Sequence, residues 1–310
     1  MHPSGTRPPA GARVTGARDV RAAGPVVVGV DDTDHARAAV AWAASEAVRL
    51  GAPLRLVAAT GLVGDHLPGR AGRDRRLHEV LDAARGCAVA AGGGAVATEL
   101  RTGYPVTVLA DESRAARLLV VGDRGTSRIE GVLAGSVAVP LLGRSRCPVV
   151  VVRGHPRDPA GLPVVVGVDG TPGDDAVLDV ALELAAARGA ELVVLHGSGQ
   201  PPDGPATDLL VGPAVAREVL ADLELRSLTE HAVARGAGCG VDVRVVGGSG
   251  RAVDLLLAGA PRAQLVVVGS RGRGDLAGLL FGSVSTALVH RADCPVVVVG
   301  PLARPVPQAG

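Results

Sequence analysis

The chain has 310 residues, of which 47% are hydrophobic and 20% charged, with a formal net charge of +1. This balance gives no basic surface for nucleic acid or an anionic membrane, and the 1% of aromatic residues leaves little for base stacking. All 32 basic residues are arginine, which excludes mechanisms that need a P-loop, Schiff-base or general-base lysine. We therefore expect neither nucleic acid nor a membrane as a partner.

Apolar strand-like runs alternate with helix-length segments along the chain, which is typical of a parallel sheet covered by helices on both faces. The first half predicts strands at 25–30, 54–59, 95–101, 117–122 and 148–152, with helices at 33–50, 75–91, 105–112 and 136–143. The second half repeats this order, with strands at 163–168, 191–196, 241–246, 264–269 and 295–299, and helices at 172–188, 213–235, 251–259 and 283–291.

The repetition predicts two domains joined by a short linker. The predicted divisions are a disordered tail at 1–24, domain 1 at 25–153, a Pro-containing linker at 154–162, domain 2 at 163–300 and a tail at 301–310. The first tail lacks the apolar core of a signal peptide, and no apolar stretch approaches the roughly 20 residues of a membrane span. The four cysteines show no Cys-x2-Cys spacing and are interpreted as core residues. We expect a cytoplasmic protein.

The most specific motif is Gly-x2-Gly-x9-Gly-Ser, which occurs twice, 147 residues apart. Each copy follows an apolar strand, and its Gly-Ser pair precedes a helix. Glycines with positive φ can bring backbone N–H groups close to an anion, and a helix start adds unpaired N–H groups and the helix dipole. The motif predicts two phosphate sites, one at Gly122, Gly125, Gly135 and Ser136 and one at Gly269, Gly272, Gly282 and Ser283.

An aspartate follows the first strand of each domain, at Asp31 and Asp169. If strands one and four are neighbours, each aspartate faces its glycine loop across the crevice where doubly wound sheets bind ligands. A carboxylate repels polyphosphate, so we expect it to accept hydrogen bonds from ribose hydroxyls or a base edge. The alternative interpretation is structural, with turn glycines and helix-capping aspartates. No spacing predicts a catalytic constellation or a metal held by the protein.

Several motifs resemble the universal stress protein family in its tandem two-domain form. They are Val-Gly-Val-Asp at 28–31 and 166–169, Val-Val-Gly-Ser-Arg-Gly at 267–272, Phe-Gly-Ser-Val-Ser at 281–285 and Cys-Pro-Val-Val-Val-Val at 294–299. The resemblance covers about 25–152 and 163–300, and the glycine spacing is similar to the signature of the family's ATP-binding branch.

The resemblance implies two α/β domains, each a doubly wound five-stranded parallel sheet in the order 3-2-1-4-5. It implies that the fifth strands pair within one chain as a pseudo-dimer, which leaves further self-association open. ATP is the implied ligand, alone or with Mg²⁺ or Mn²⁺, with Asp31 and Asp169 near the adenosine and the Gly/Ser loops, including Ser285, near ribose and phosphates.

The function implied by the resemblance is an ATP-regulated stress-response module without dedicated catalysis, whose protein partner the sequence does not name. A slow nucleotide hydrolase or phosphotransferase is one alternative, and an interaction scaffold without nucleotide is another.

Domain 1 departs from the family pattern more than domain 2. It has Asp123 and Asp32 where negative charge would lie near bound phosphates, and Ala138 where domain 2 has the hydroxyl of Ser285. Pro140 also lies just inside the helix that follows the first Gly-Ser pair. We therefore predict tighter ATP binding in domain 2.

Overall fold

The computed structural model of the protein describes residues 24–61, 70–123, 137–153, 160–171, 173–197, 211–270 and 282–303. Across these ranges no helix has the length and apolar character needed to span a membrane. The strands of the described ranges are β1 Val26–Gly29, β2 Leu54–Ala59, β3 Val96–Arg101, β4 Leu118–Gly122, β5 Val149–Val152, β6 Val164–Val168, β7 Leu192–Gly197, β8 Val243–Gly248, β9 Leu265–Gly269 and β10 Val296–Val299. The α-helices are α1 Asp34–Arg49, α2 Arg70–Ala90, α3 Pro105–Glu112, α4 Ala138–Leu142, α5 Asp174–Arg188, α6 Val211–Cys239, α7 Ala252–Gly259 and α8 Ser283–Arg291.

The strands form one sheet in the order β3-β2-β1-β4-β5-β10-β9-β6-β7-β8. Each half therefore has the predicted order 3-2-1-4-5, and all pairs within a half are parallel. The α/β fold class and the strand order are confirmed.

Helices cover both faces of the sheet because the strands are apolar on both sides. On β1, Val26 and Val28 join a core packed by α1, α2, α5 and α6, while Val27 joins a core packed by α3, α4, α7 and α8. Both cores include residues of the two halves, so the halves share their hydrophobic interior.

The two halves meet at the antiparallel pair β5–β10, which we call the domain seam. Val150 pairs with Val297, Val149 with Val298, and Val151 with Val296. Val150 and Val297 occupy equivalent repeat positions, 147 residues apart. A pseudo-twofold axis therefore passes between them, as in an isologous dimer, and the predicted pairing of fifth strands within one chain is confirmed.

The helix that follows β4 begins later than predicted. It starts at Ala138, after the N-cap residue Val137, and not at 136. The reason is Pro140, which has no N–H to donate and clashes with a carbonyl one turn earlier inside a helix. A start at Ala138 places Pro140 in the first turn, where an N–H has no helical partner. The result is a helix of only five residues.

The cysteines do not share one environment. Cys147 and Cys294 precede β5 and β10 and are buried, as predicted, whereas Cys87 is half-buried. Cys239, the last residue of α6, is exposed, and its interpretation as a core residue is wrong.

Candidate functional site

The two predicted aspartates lie at the switch points of their sheets. β1 is the parallel neighbour of β4, with Val28 paired to Val120, and β6 is the neighbour of β9, with Gly167 paired to Val268. Continuing these registers places Asp31 level with residue 123, and residue 169 level with residue 270. The adjacency on which the predicted crevice depends is therefore present in both domains.

Neither aspartate is the N-cap of the following helix. In domain 1 the cap is Thr33, whose Oγ1 accepts the Ala36 N–H at 3.1 Å and donates to Asp31 Oδ1 at 2.5 Å. In domain 2 the N-cap position is Gly173, and Asp169 Oδ1 accepts the Thr171 N–H at 3.2 Å. The capping interpretation is thus wrong, and each carboxylate instead orders its own strand-to-helix loop.

A cavity of about 300 Å³ opens beside Asp31, between α1 and α2. Its floor is apolar and its rim is charged, which is the usual composition of a small-molecule pocket, and its volume is at the lower end for such pockets. Asp32 lines the cavity and forms an ion pair with Arg76 of α2, so its charge has a cationic partner within domain 1. The lining residues are Val30, Asp31, Asp32, Arg37, Val40, Arg76, Glu79, Val80, Ala83 and Ala84.

In domain 1 the end of β4 is closed by α1. A Cβ on Gly122 would lie 2.8 Å from the carbonyl carbon and oxygen of His35, so only glycine allows this approach. The next residue, Asp123, is buried, with its carboxylate 2.7 Å from His35 Nδ1 and 3.5 Å from Arg153 Nε. The carboxylate that we predicted to oppose phosphate therefore lies beside an imidazole and a guanidinium.

The predicted role of the strand-end glycines needs one correction. Gly122 and Gly269 are the last residues of β4 and β9, and neither has a positive φ. The positive φ predicted for these two positions is wrong. At Gly122, the requirement for glycine comes from the close approach of His35, and not from backbone conformation.

In domain 2 the loop between β6 and α5 binds a carboxylate of its own. Asp174 Oδ2 accepts the N–H groups of Asp169 at 3.1 Å, Gly170 at 2.6 Å and Thr171 at 3.1 Å. Burial, and then the neighbouring charge of Asp169, raise the pKa of Asp174 to about 6 against the opposing effect of these bonds. Domain 1 has the buried Ala36 at the equivalent position, so this interaction occurs only in domain 2.

The second Gly-Ser pair opens α8 directly beside the end of β9. Gly282 is the N-cap, and its N–H donates to the Ser270 carbonyl at 2.7 Å. A Cβ on Gly282 would lie 3.0 Å from that carbonyl oxygen. Ser283 is exposed at the first helical position, whereas Ser285 is buried and its hydroxyl donates to the Gly282 carbonyl at 3.1 Å. Ser285 thus supports the N-cap.

The structure brings together only part of each predicted site. Asp31 and Gly122 lie at the switch point of domain 1, and Asp169, Gly269, Gly282, Ser283 and Ser285 at that of domain 2. The remaining predicted residues fall outside the described ranges; they are Gly125, Gly135, Ser136 and Gly272. In the described part of the chain, no three His, Cys, Asp or Glu side chains lie close enough to hold a metal.

Sequence reasoning missed three residues that shape these loops: His35, Arg153 and Asp174. A signal was available in the comparison of the two repeats, because domain 2 has Gly173 and Gly300 where domain 1 has His35 and Arg153. A large polar side chain in one copy and glycine in the other indicate that the two loops do not carry the same groups.

The fold defines a tandem α/β protein with two doubly wound halves, each with its strand-end loops at a switch point. The model of the universal stress protein family matches residues 23–153 and 162–300. The chain is 35% identical over 297 residues to a universal stress protein of Mycolicibacterium smegmatis, covering 89% of this chain and 97% of that one. It is also 35% identical over 295 residues to one of Mycobacterium tuberculosis, covering 88% and 95%. The chain belongs to the universal stress protein family.

A solved structure shares the fold over the full tandem arrangement. The universal stress protein from Archaeoglobus fulgidus superposes with a TM-score of 0.66 and 21% sequence identity, covering 89% of this chain and 98% of that chain. At this identity the likeness concerns the fold alone.

Proposed function

We propose that domain 2 binds ATP, with the phosphates at the N-terminus of α8 and the ribose or base at Asp169. The observation that carries this is the position of Gly282 and Ser283, which open α8 against the end of β9 while Asp169 follows the adjacent strand. The first N–H groups of a helix have no helical acceptor and attract anions. α8 has no acidic residue in its first turn and no side-chain cap, so its N-terminus suits phosphate.

Domain 1 is proposed to bind ATP more weakly. Its corresponding helix, α4, has only five residues and begins at Ala138, so it offers a weaker helix dipole to an anion than the nine residues of α8 do. His35 lies against Gly122, at the strand end where phosphate would approach. The cavity beside Asp31 nevertheless has space for the adenosine part of a ligand.

Calorimetry on matched glycine variants tests this assignment. Gly282→Val places a side chain against the Ser270 carbonyl and should displace the N-terminus of α8. Loss of one hydrogen bond to a charged phosphate costs about 1.5 to 3 kcal/mol, or roughly 10- to 150-fold in Kd. Gly135→Val is the equivalent change in domain 1 and should reduce total ATP binding less. Circular dichroism melting curves check that both variants fold.

Two outcomes contradict the proposal in different ways. If the wild-type chain does not bind ATP, the function is wrong. If Gly135→Val costs more affinity than Gly282→Val, the assignment to domain 2 is wrong.

We further propose that bound ATP regulates the protein and is not turned over by dedicated catalytic groups. Asp169 is hydrogen-bonded to its own loop, which accounts for it as an ordering residue. Asp169→Ala should therefore weaken ATP binding. Hydrolysis that disappears in Asp169→Ala while binding persists would instead establish an enzyme.

A further inference from the structure

The charged contacts across the domain seam are not symmetric, although the strand pairing is. Arg188 of α5 donates to Glu46 of α1 through Nη1 and Oε1 at 2.5 Å, with 3% and 0% of their side chains exposed. The Arg188 guanidinium also lies 5.6 Å from the centroid of the Trp42 ring. This cluster joins the two domains through groups that are costly to bury without a partner.

A second ion pair crosses the seam beside the first. Arg117, which precedes β4, pairs with Glu183 of α5, and about four-fifths of each side chain is buried. Arg117 also donates to the Leu50 carbonyl at 2.9 Å, at the end of α1. Both ion pairs therefore join domain 1 to the same helix of domain 2, α5.

Comparison of the two repeats shows which residue Glu46 and Arg188 would each face if a domain paired with a copy of itself. The first helices of the two domains correspond at a separation of 138 residues, as the positive-φ glycines Gly51 and Gly189 confirm at their ends. By this correspondence Glu46 is equivalent to Leu184, and Arg188 to Leu50. The symmetric counterpart of the buried ion pair is therefore a pair of leucines.

We infer that the two faces of the seam are complementary only to each other, so that domain 1 pairs with domain 2 and neither domain pairs with its own kind. The partner that fits domain 1 carries a cation at the position of Arg188 and a carboxylate at that of Glu183.

A pair formed by two copies of domain 2 would bury charges that have no partner of opposite sign. Arg188 of each would face Leu184 of the other, and Glu183 would face Gln264, which is the repeat equivalent of Arg117. Removing one partner of a buried ion pair costs about 3 to 5 kcal/mol, which corresponds to more than a hundredfold in association per pair.

Two first domains meet a different obstacle. In a pair of two first domains, Glu46 would face Leu50 of the other copy. Its remaining cationic neighbour would be Arg49, whose Nη1 lies 3.6 Å from Glu46 Oε2. Backbone contact adds to this: Gly300 follows β10 so close to α4 that a Cβ would lie 2.7 Å from the Leu142 carbonyl oxygen. Domain 1 has Arg153 at that repeat position, so its side chain would clash in the place of Gly300.

Native mass spectrometry of a nicked chain tests this inference. A protease site is inserted in 154–162, and the folded full chain is cut there into its two domains. Mild urea then allows the domains to exchange partners, and the masses of the fragments and of their pairs identify which domains have paired. The wild type should give only mixed pairs of domain 1 with domain 2. A leucine variant that combines Glu46→Leu/Arg188→Leu with Arg117→Gln/Glu183→Gln removes both ion pairs. It should also give pairs of two second domains, because leucine then faces leucine and glutamine faces glutamine.

Two controls accompany this variant. Glu46→Arg/Arg188→Glu retains a complementary ion pair and should behave like the wild type, even if the leucine variant fails to fold. Asp34→Asn/Arg37→Gln removes an exposed ion pair of α1 and should also give mixed pairs only. Identical-domain pairs or free fragments from the wild type would overturn the inference, and so would mixed pairs alone from a folded leucine variant.

Discussion

The buried ion pair between Glu46 and Arg188 provides a quantitative prediction for stability. Each single change to leucine leaves a charge in a site where the partner side chains are 0% and 3% exposed, and should lower the free energy of unfolding by about 3 to 5 kcal/mol. Arg49 partly compensates Glu46 in Arg188→Leu, but that change also removes the contact with Trp42, worth up to about 2 kcal/mol. The double change should cost less than either single change, because leucine at both positions leaves no unpaired charge.

Urea unfolding measures these differences directly. Trp42 is the only tryptophan of the chain and lies beside Arg188, so its fluorescence reports on the seam. Transitions that coincide by fluorescence and circular dichroism justify a two-state free energy. Arg37→Leu, which breaks an exposed ion pair on the same helix, should cost about 0.5 kcal/mol or less. Single changes below about 1 kcal/mol, or costs that simply add in the double variant, would refute the reasoning.

Two further predictions concern titratable groups. Asp174 should titrate near pH 6 when its carboxyl carbon is followed by NMR. Because this folded pKa lies above the ordinary 3.8, the contribution of Asp174 to the free energy of unfolding is fully present below about pH 4. That contribution is lost as the pH rises through 6. Asp169→Asn should lower that pKa by removing a like charge, and an unchanged pKa would contradict this. Burial raises the pKa of Cys147 and Cys294 to about 12, so alkylation of the folded chain near pH 8 should modify Cys239 and spare both; labelling of either would show that these sites open.

The sequence predicted the fold well because the fold depends on repeated local patterns. Short apolar runs such as 118–121, bounded by glycine, favour strands buried on both faces, and the alternation of strand and helix leaves few topologies. Every predicted strand agrees with the structure to within about two residues, as in β4 and β9. α4 begins two residues after its predicted start, because Pro140 restricts where the helix can begin and the Gly-Ser pattern does not specify this.

The predicted site was harder to derive because its geometry depends on contacts between distant segments. The spacing predicted that Gly122 brings N–H groups close to an anion, but it did not indicate that the His35 backbone lies against this glycine. Likewise, nothing in the spacing shows that Asp174 turns back to accept three N–H groups of the loop before α5. Such interactions depend on side-chain directions that a linear pattern does not specify.

Covalent linkage explains why the two domains differ both at the seam and at their strand ends. In a dimer of identical chains every substitution appears twice about the axis, so a charge added near it must be compatible with its own copy. In this chain each contact occurs once, and opposite charges such as Glu46 and Arg188 can be placed on the two sides. The same freedom allows Asp123, with His35 and Arg153, in one domain while the other keeps Ser270 at that position. The buried charges between the two domains favour this pairing of unlike domains over the pairing of identical ones.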